Sequence, residues 1–289
     1  MKLSVFTDVL NLPFEQALDA CVQLGFNCVD LRSKMGNDNV DTLVGAAADT
    51  VRSAIRRRGL QVGCVASWGV NPPRGKYDPN DAAYRDQMRS RVVHLAELAE
   101  TFDARNVRVY SFVRPAGRAI SEADRSDSAA FLAELAAICG RRGRVLVIEN
   151  EPPTLTGTCA ELGDLMRRSE SVAANLKLNW DIVNGWQAGE LPWADGIFDQ
   201  IAGHVAHLHI KGAKADASEP TRFGSMALPG RDDVPHRRLF ERLAASGFDG
   251  IVTIDPHYGQ FAEADKLAGV TNPEIEVVRL TKVFLESVI

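Results

Sequence analysis

Four side chains with the chemistry of metal ligands each close a short apolar run. RVLVIENEPP (144–153) reaches Glu149 just before Pro152 and Pro153 forbid its continuation. LKLNWD ends at Asp181, HVAHLHIKG carries His209 near its end, and GIVTIDPH reaches Asp255. Short apolar runs bounded by turn signals and alternating with helical patterns read as parallel strands. Ligands at the C-terminal ends of such strands converge on one mouth, so the four residues are read as a single site. Carboxylates with one imidazole make a hard, oxygen-rich donor set. It suits one divalent ion (Mn, Mg, Co or Zn, with Mn favoured) and leaves positions for two substrate oxygens. Such an ion polarises a sugar carbonyl while carboxylates move a proton at the adjacent carbon. The plainer alternative, that each residue merely caps a strand end, is weakened by four of them standing at corresponding ends of consecutive strands.

Further strand-like runs precede these, at LSVF, CVDL, LQVGCVA and NVRVYSF, making eight. Amphipathic segments lie between them with sensible ends. Pro13 opens the first helix and Gly25 follows its end; Gly59 closes ADTVRSAIRRRG, and Gly247 closes the helix beginning near Pro235. In DSAAFLAELAAICG, Phe131, Leu132, Leu135 and Ile138 share a face, with Asp127 expected as the cap and Gly140 as the stop. The last helix is expected to begin at Thr271, Asn272 and Pro273. Strict alternation over eight units predicts an α/β protein with a closed (β/α)8 TIM barrel, and no GxGxxG follows the first strand to suggest a dinucleotide fold. No linker-like tract divides the chain, so residues 1–289 are read as a single TIM-barrel domain.

Parity along the strands refines the barrel. With Asp255 inward, Thr253 and Ile251 are inward too; with His209 inward, so are Val205, His207 and Lys211. His207 then lies a layer deeper, in a supporting role, and Lys211 sits above His209, within reach of substrate oxygen or phosphate. His257, two residues beyond Asp255, is a candidate to orient substrate or to serve as acid/base. Trp68, beside Asn71, Pro72 and Pro73, and Trp186 and Trp193 offer flat faces to wall a sugar pocket. Between Lys211 and Arg231 runs a polar loop containing Lys214 and Arg222, and Arg222 is the candidate contact for a hydroxyl or phosphate. His94, in the helical run RVVHLAELAE, reads as structural.

A net charge of −5 gives no attraction to nucleic acid or to an anionic membrane. The opening run carries neither a secretory apolar region nor a membrane span, so a cytoplasmic location is the expected default. The cysteines, Cys21, Cys28, Cys64, Cys139 and Cys159, are odd in number and without a CxxC pair, which predicts reduced thiols packed as small apolar groups.

With these residues in view, the chain resembles the xylose isomerase-like family of TIM barrels over nearly its whole length. That family includes sugar phosphate isomerases, ketose 3-epimerases, inosose dehydratases and the AP endonuclease IV group. VIENEP, LNWD, HLHIKG and VTIDPHY match the strand ends where epimerase-like members hold a metal with Glu, Asp, His and Glu, and ALPGRDDVPHRRLFERLAASGFDGIVTID resembles the family's last loop, helix and strand. The resemblance implies that Glu149 and Asp255 are also the acid/base pair, working on opposite faces of an enediolate, and that the protein is a homodimer or homotetramer. Two departures stand out. Asp255 replaces the usual Glu, one methylene shorter, where an ångström of misplacement is costly; and Asn184 stands where epimerases often place a substrate-contacting His. The implied function is a metal-dependent isomerase or epimerase of a ketose or related polyol, with an inosose dehydratase-like lyase as the nearest alternative. An AP endonuclease IV-like hydrolase is disfavoured by the absence of histidines on the early strands, and a silent sugar-binding barrel stays conceivable through the Glu to Asp change.

Overall fold

A computed structural model of the chain describes residues 1–68, 81–170 and 173–289. Seven strands come first: β1 (Lys2–Val5), β2 (Cys28–Leu31), β3 (Gln61–Ala66), β4 (Asn106–Tyr110), β5 (Val145–Glu149), β6 (Leu176–Asp181) and β7 (Val205–Ile210). A hairpin of β8 (Gly212–Ala215) and β9 (Phe223–Ala227) intervenes before β10 (Ile251–Ile254). Among the described residues β1 to β7 and β10 form one parallel sheet, ordered β1-β10-β7-β6-β5-β4-β3-β2. A bridge between Phe6 and Asp30 brings β2 back to β1, so the sheet closes into the expected TIM barrel.

The helices are α1 (Phe14–Gln23), α2 (Gly45–Arg57), α3 (Ala82–Phe102), α4 (Glu122–Gly140), α5 (Cys159–Ser169), α6 (Ile182–Gln187), α7 (His236–Ala245) and α8 (Pro273–Glu286). Strands covered by helices on one side and filled on the other are buried on both faces, which is why they read as near-continuous apolar runs. Leu146, Ile148, Leu208, Ile210, Val252 and Ile254 are all buried, and Val147, His207, His209 and Thr253, at the alternate positions, are buried as well. Gly25 and Gly247, just past α1 and α7, adopt the left-handed backbone expected of helix stops.

Two local expectations are corrected. Helix α4 starts at Glu122 rather than at Asp127, because Ser121 and Asp124 form a reciprocal capping box that satisfies the first turn; Asp127 lies inside the helix. The segment read as a polar loop after Lys211 pairs as the β8–β9 hairpin. Gly212 and Gly224 allow its close backbone contacts, since a Cβ at either would come within 2.5 Å of the carbonyl oxygen of Ala227 or Ala215.

Candidate active site

The candidate site grows out of adjacent strand ends. Glu149 is the last residue of β5, Asp181 the last of β6, and His209 the penultimate residue of β7. Register places Asp181 opposite His209 and Glu149 opposite Asn179, so three consecutive strands deliver their ligands to one spot. One donor atom from each of Glu149, Asp181 and His209 lies within 4.8 Å of the others, and all three residues are buried. His209 Nδ1 meets Glu149 Oε1 at 2.9 Å, and Asn179 Nδ2 stands 3.1 Å from Nε2 and 3.2 Å from Nδ1.

The charge balance is tight. Arg108 on β4, fully buried, places Nε 3.0 Å from Glu149 Oε2 and donates from Nη1 to the carbonyl of Ser67 at 2.6 Å. Lys211 Nζ lies 2.8 Å from Asp181 Oδ2 and donates to Asn184 Oδ1 at 2.9 Å. Neither carboxylate contact meets hydrogen-bond geometry, so Glu149 Oε2 and Asp181 Oδ2 are balanced by charge rather than by an aligned donor. Two such carboxylate oxygens converging with an imidazole make a donor set that Glu149, Asp181 and His209 could offer a divalent ion. Burial pushes the Glu149 carboxyl up, but His209 and Arg108 outweigh it and hold it low. Burial opposes charge on Lys211 too, and Asp181, Asp255 and Glu149 reverse that, raising it to about 12.

Asp255, the remaining expected ligand, is buried one residue beyond β10 but is not among the converging atoms. Arg32, just after β2, donates to its Oδ2 at 3.2 Å and its Oδ1 at 3.4 Å, and grips Asp8 through Nε at 3.0 Å and Nη2 at 3.1 Å. His257 adds a contact from Nε2 to Asp255 Oδ2 at 3.1 Å, with its backbone in the left-handed region at φ 49°. Burial raises the Asp255 carboxyl, yet Arg32 and then His257 hold it well below the usual carboxylate range.

Beneath this ring lies a polar floor. His207 Nε2 sits 2.9 Å from Asp30 Oδ2 and 2.8 Å from Thr253 Oγ1, while Asn106 Nδ2 approaches Nδ1 at 3.1 Å. Ser4 donates to the other oxygen of Asp30 at 3.0 Å. Asp30, His207 and His209 also come close enough to share an ion. Hydrogen bonds already satisfy Asp30 and His207, which matches the supporting role expected of His207.

The remaining expected contacts divide. Asn184 is buried beside the cluster, donating to Glu151 Oε2 at 2.8 Å. Trp68 is 54% exposed, with Arg32 6.0 Å from its ring and Tyr110 6.1 Å away; Asn71, Pro72 and Pro73 lie outside the described residues. Arg222 is not brought to the cluster: it stands exposed beside the hairpin and pairs with Glu219 at 3.5 Å. Trp186 is buried rather than walling an open pocket, donating to the Thr221 carbonyl at 2.8 Å and packing edge-on against Trp193. His94 Nε2 meets the Val40 carbonyl at 2.9 Å, a structural contact.

The family model described as the xylose isomerase-like TIM barrel matches residues 18–278. The chain belongs to that family. Among solved structures, this xylose isomerase-like barrel is similar to a D-psicose 3-epimerase from Clostridium cellulolyticum H10, with a TM-score of 0.74 at 14% identity, covering 100% of this chain and 99% of that one. It is similar to an IOLI protein with a bound zinc atom, with a TM-score of 0.74 at 15% identity and 100% and 98% coverage. It is also similar to the probable 3-DHS dehydratase AsbF from Bacillus anthracis, with a TM-score of 0.71 at 15% identity and 98% coverage of both chains. No curated protein gives a significant match. At such identities the likeness speaks for the fold alone.

Three residues at the mouth of this xylose isomerase-like barrel escaped the sequence reading: Arg32, Arg108 and Glu151. Arg108 shares the inward parity of Asn106 and Tyr110, a signal legible in NVRVYSF once the barrel is assumed. Glu151 stands two residues past Glu149, where burial, and then the charge of Glu149, push its carboxyl up to about 7. Arg32 lies in irregular backbone just past β2, and no periodicity marks it. No helix among the described residues is long and apolar enough to cross a membrane.

Proposed function

We propose that this chain is a divalent-metal-dependent isomerase or epimerase that moves a proton on a ketose or related polyol through an enediolate. The observation that carries the reading is the convergence of Glu149, Asp181 and His209 within 4.8 Å, with two of their carboxylate oxygens lacking hydrogen-bond partners. These three side chains would hold the ion, manganese being the favoured candidate. When bound, it supplies Lewis acidity for a substrate carbonyl. Lys211 and Asn184, already hydrogen-bonded to each other at 2.9 Å, present an ammonium and an amide to substrate oxygens. Glu149 is one proton-transfer group, and the second is Asp255 acting through His257, in contact with it at 3.1 Å. Trp68 offers its exposed face as an apolar wall. We further take residues 1–289 as one domain, acting on a small-molecule sugar or polyol in the cytoplasm as a homodimer or homotetramer.

A lyase is the second reading, supported by the similarity to a probable dehydratase. There the same enediolate would expel a β-hydroxyl. Both readings are tested by incubating manganese-loaded protein with a panel of ketoses and inososes in deuterium oxide. Deuterium entering the carbon beside the carbonyl supports proton transfer, and loss of water from the product assigns the lyase. Absence of exchange across the panel, with metal present, would remove the enzymatic reading.

A further inference from the structure

We propose that Arg32 keeps Asp255 out of the metal's coordination shell, so that this chain holds its ion with three protein side chains, Glu149, Asp181 and His209. This rests on the metal-dependent reading above and goes beyond it, since it assigns a task to a residue outside the ligand set. The chain just past β2 places the guanidinium between two carboxylates that come from opposite ends of the chain. Nε and Nη2 engage Asp8 at 3.0 and 3.1 Å, while Nη1 and Nη2 engage Asp255 at 3.2 and 3.4 Å. Behind it the Phe6 ring lies 4.2 Å from the guanidinium carbon, closing that face to water. Planarity matters here, because a single ammonium has no second edge with which to span two carboxylates.

Asp255 is therefore fully committed. Both of its oxygens accept from Arg32, and Oδ2 also meets His257 Nε2 at 3.1 Å. Glu149 Oε2 and Asp181 Oδ2 also face cations, Arg108 Nε at 3.0 Å and Lys211 Nζ at 2.8 Å, but neither pair is an aligned hydrogen bond, and their donor atoms converge with His209 within 4.8 Å where those of Asp255 do not. An ion entering the mouth meets three donors already brought together, and drawing in Asp255 as well would break a carboxylate held on both oxygens by one guanidinium, a costly exchange. Arg32 is thus a positioning residue: it fixes Asp255 against His257 and leaves more of the ion's coordination to substrate and water.

The test is the affinity of manganese for the intact protein, measured by calorimetric titration and checked by electron paramagnetic resonance of free manganese. Wild type is compared with Asp181→Asn, Asp255→Asn, Arg32→Met and the double variant Arg32→Met/Asp255→Asn. Asp255→Asn is expected to bind within about threefold of wild type, whereas Asp181→Asn binds about a hundredfold more weakly. Arg32→Met, by freeing Asp255, is expected to bind about tenfold more tightly, and the double variant to return to the wild-type value. A gain of affinity is a readout that mere structural damage does not produce. The proposal is overturned if Asp255→Asn weakens binding as much as Asp181→Asn, a comparison that stands even if Arg32→Met does not fold. Wild-type protein that takes up no manganese would overturn the metal-dependent reading itself, and this inference with it.

Discussion

Lys211 Nζ lies 2.8 Å from Asp181 Oδ2, an oxygen otherwise left without a hydrogen bond at the C-terminal end of β6. An ammonium there stands where an arriving divalent cation would have to approach. Lys211→Met removes that competing charge and is expected to tighten manganese binding by about tenfold, the scale of one close charge pair at partial screening. The metal-free variant should melt lower than wild type, because Asp181 then loses its counter-charge. Titration calorimetry and thermal melts together check this, and an unchanged affinity would show that Lys211 swings aside freely.

Arg108 is a second buried cation whose loss leaves a charge uncompensated. Its guanidinium holds Glu149 at 3.0 Å and the Ser67 carbonyl at 2.6 Å, with the Tyr110 ring 4.5 Å from its central carbon. Arg108→Met is expected to cost about 3 kcal/mol of folding stability. Arg108→Lys should recover little of it, since one ammonium does not reproduce the guanidinium's separate contacts. Urea denaturation of the metal-free variants measures both values, and a loss below about 1 kcal/mol would contradict this account of the buried pair.

Acid sensitivity has a traceable contributor at the start of α4. Arg118 first, and then the amide and hydroxyl of Ser121, hold the Asp124 carboxyl below its ordinary value. A group lowered in the folded state contributes stability that is fully present above the unfolded carboxylate value of about 3.9. That contribution is lost as pH falls through the lower folded value. The difference in unfolding free energy between wild type and Asp124→Asn should be about 1 kcal/mol at neutral pH, the usual scale of a cap. It should shrink progressively in acid, and a difference independent of pH would rule out this origin.

The thiols should be silent in the folded protein. All five cysteines are buried and free, and burial pushes Cys21, Cys28 and Cys139 up to about 12. Ellman's reagent at pH 8 is expected to titrate none of them rapidly in native protein and all five in denaturant. Rapid native reaction of any one would locate a segment that opens easily.

The sequence alone determined the barrel and three of its converging donors. Parallel strands covered on both sides demand uninterrupted apolar runs, and each run must stop where the chain leaves the ring, so Glu149, Asp181 and His209 were legible as strand-end groups. Side-chain alternation carried the same logic to His207 and Thr253, which face the floor network as parity required. Only the tertiary structure decided what becomes of Asp255. Its partner Arg32 lies more than two hundred residues away in the chain and reaches it because β1 stands between β2 and β10 when the ring closes. Nothing local in the pattern around Arg32 encodes that meeting. The same holds for Arg222, whose place followed from the pairing of β8 with β9, an association of two strands of four and five residues, GAKA and FGSMA, too short to announce themselves by periodicity. Local periodicity specifies which face a residue takes; which charges finally neutralise one another is settled by the closure of the barrel.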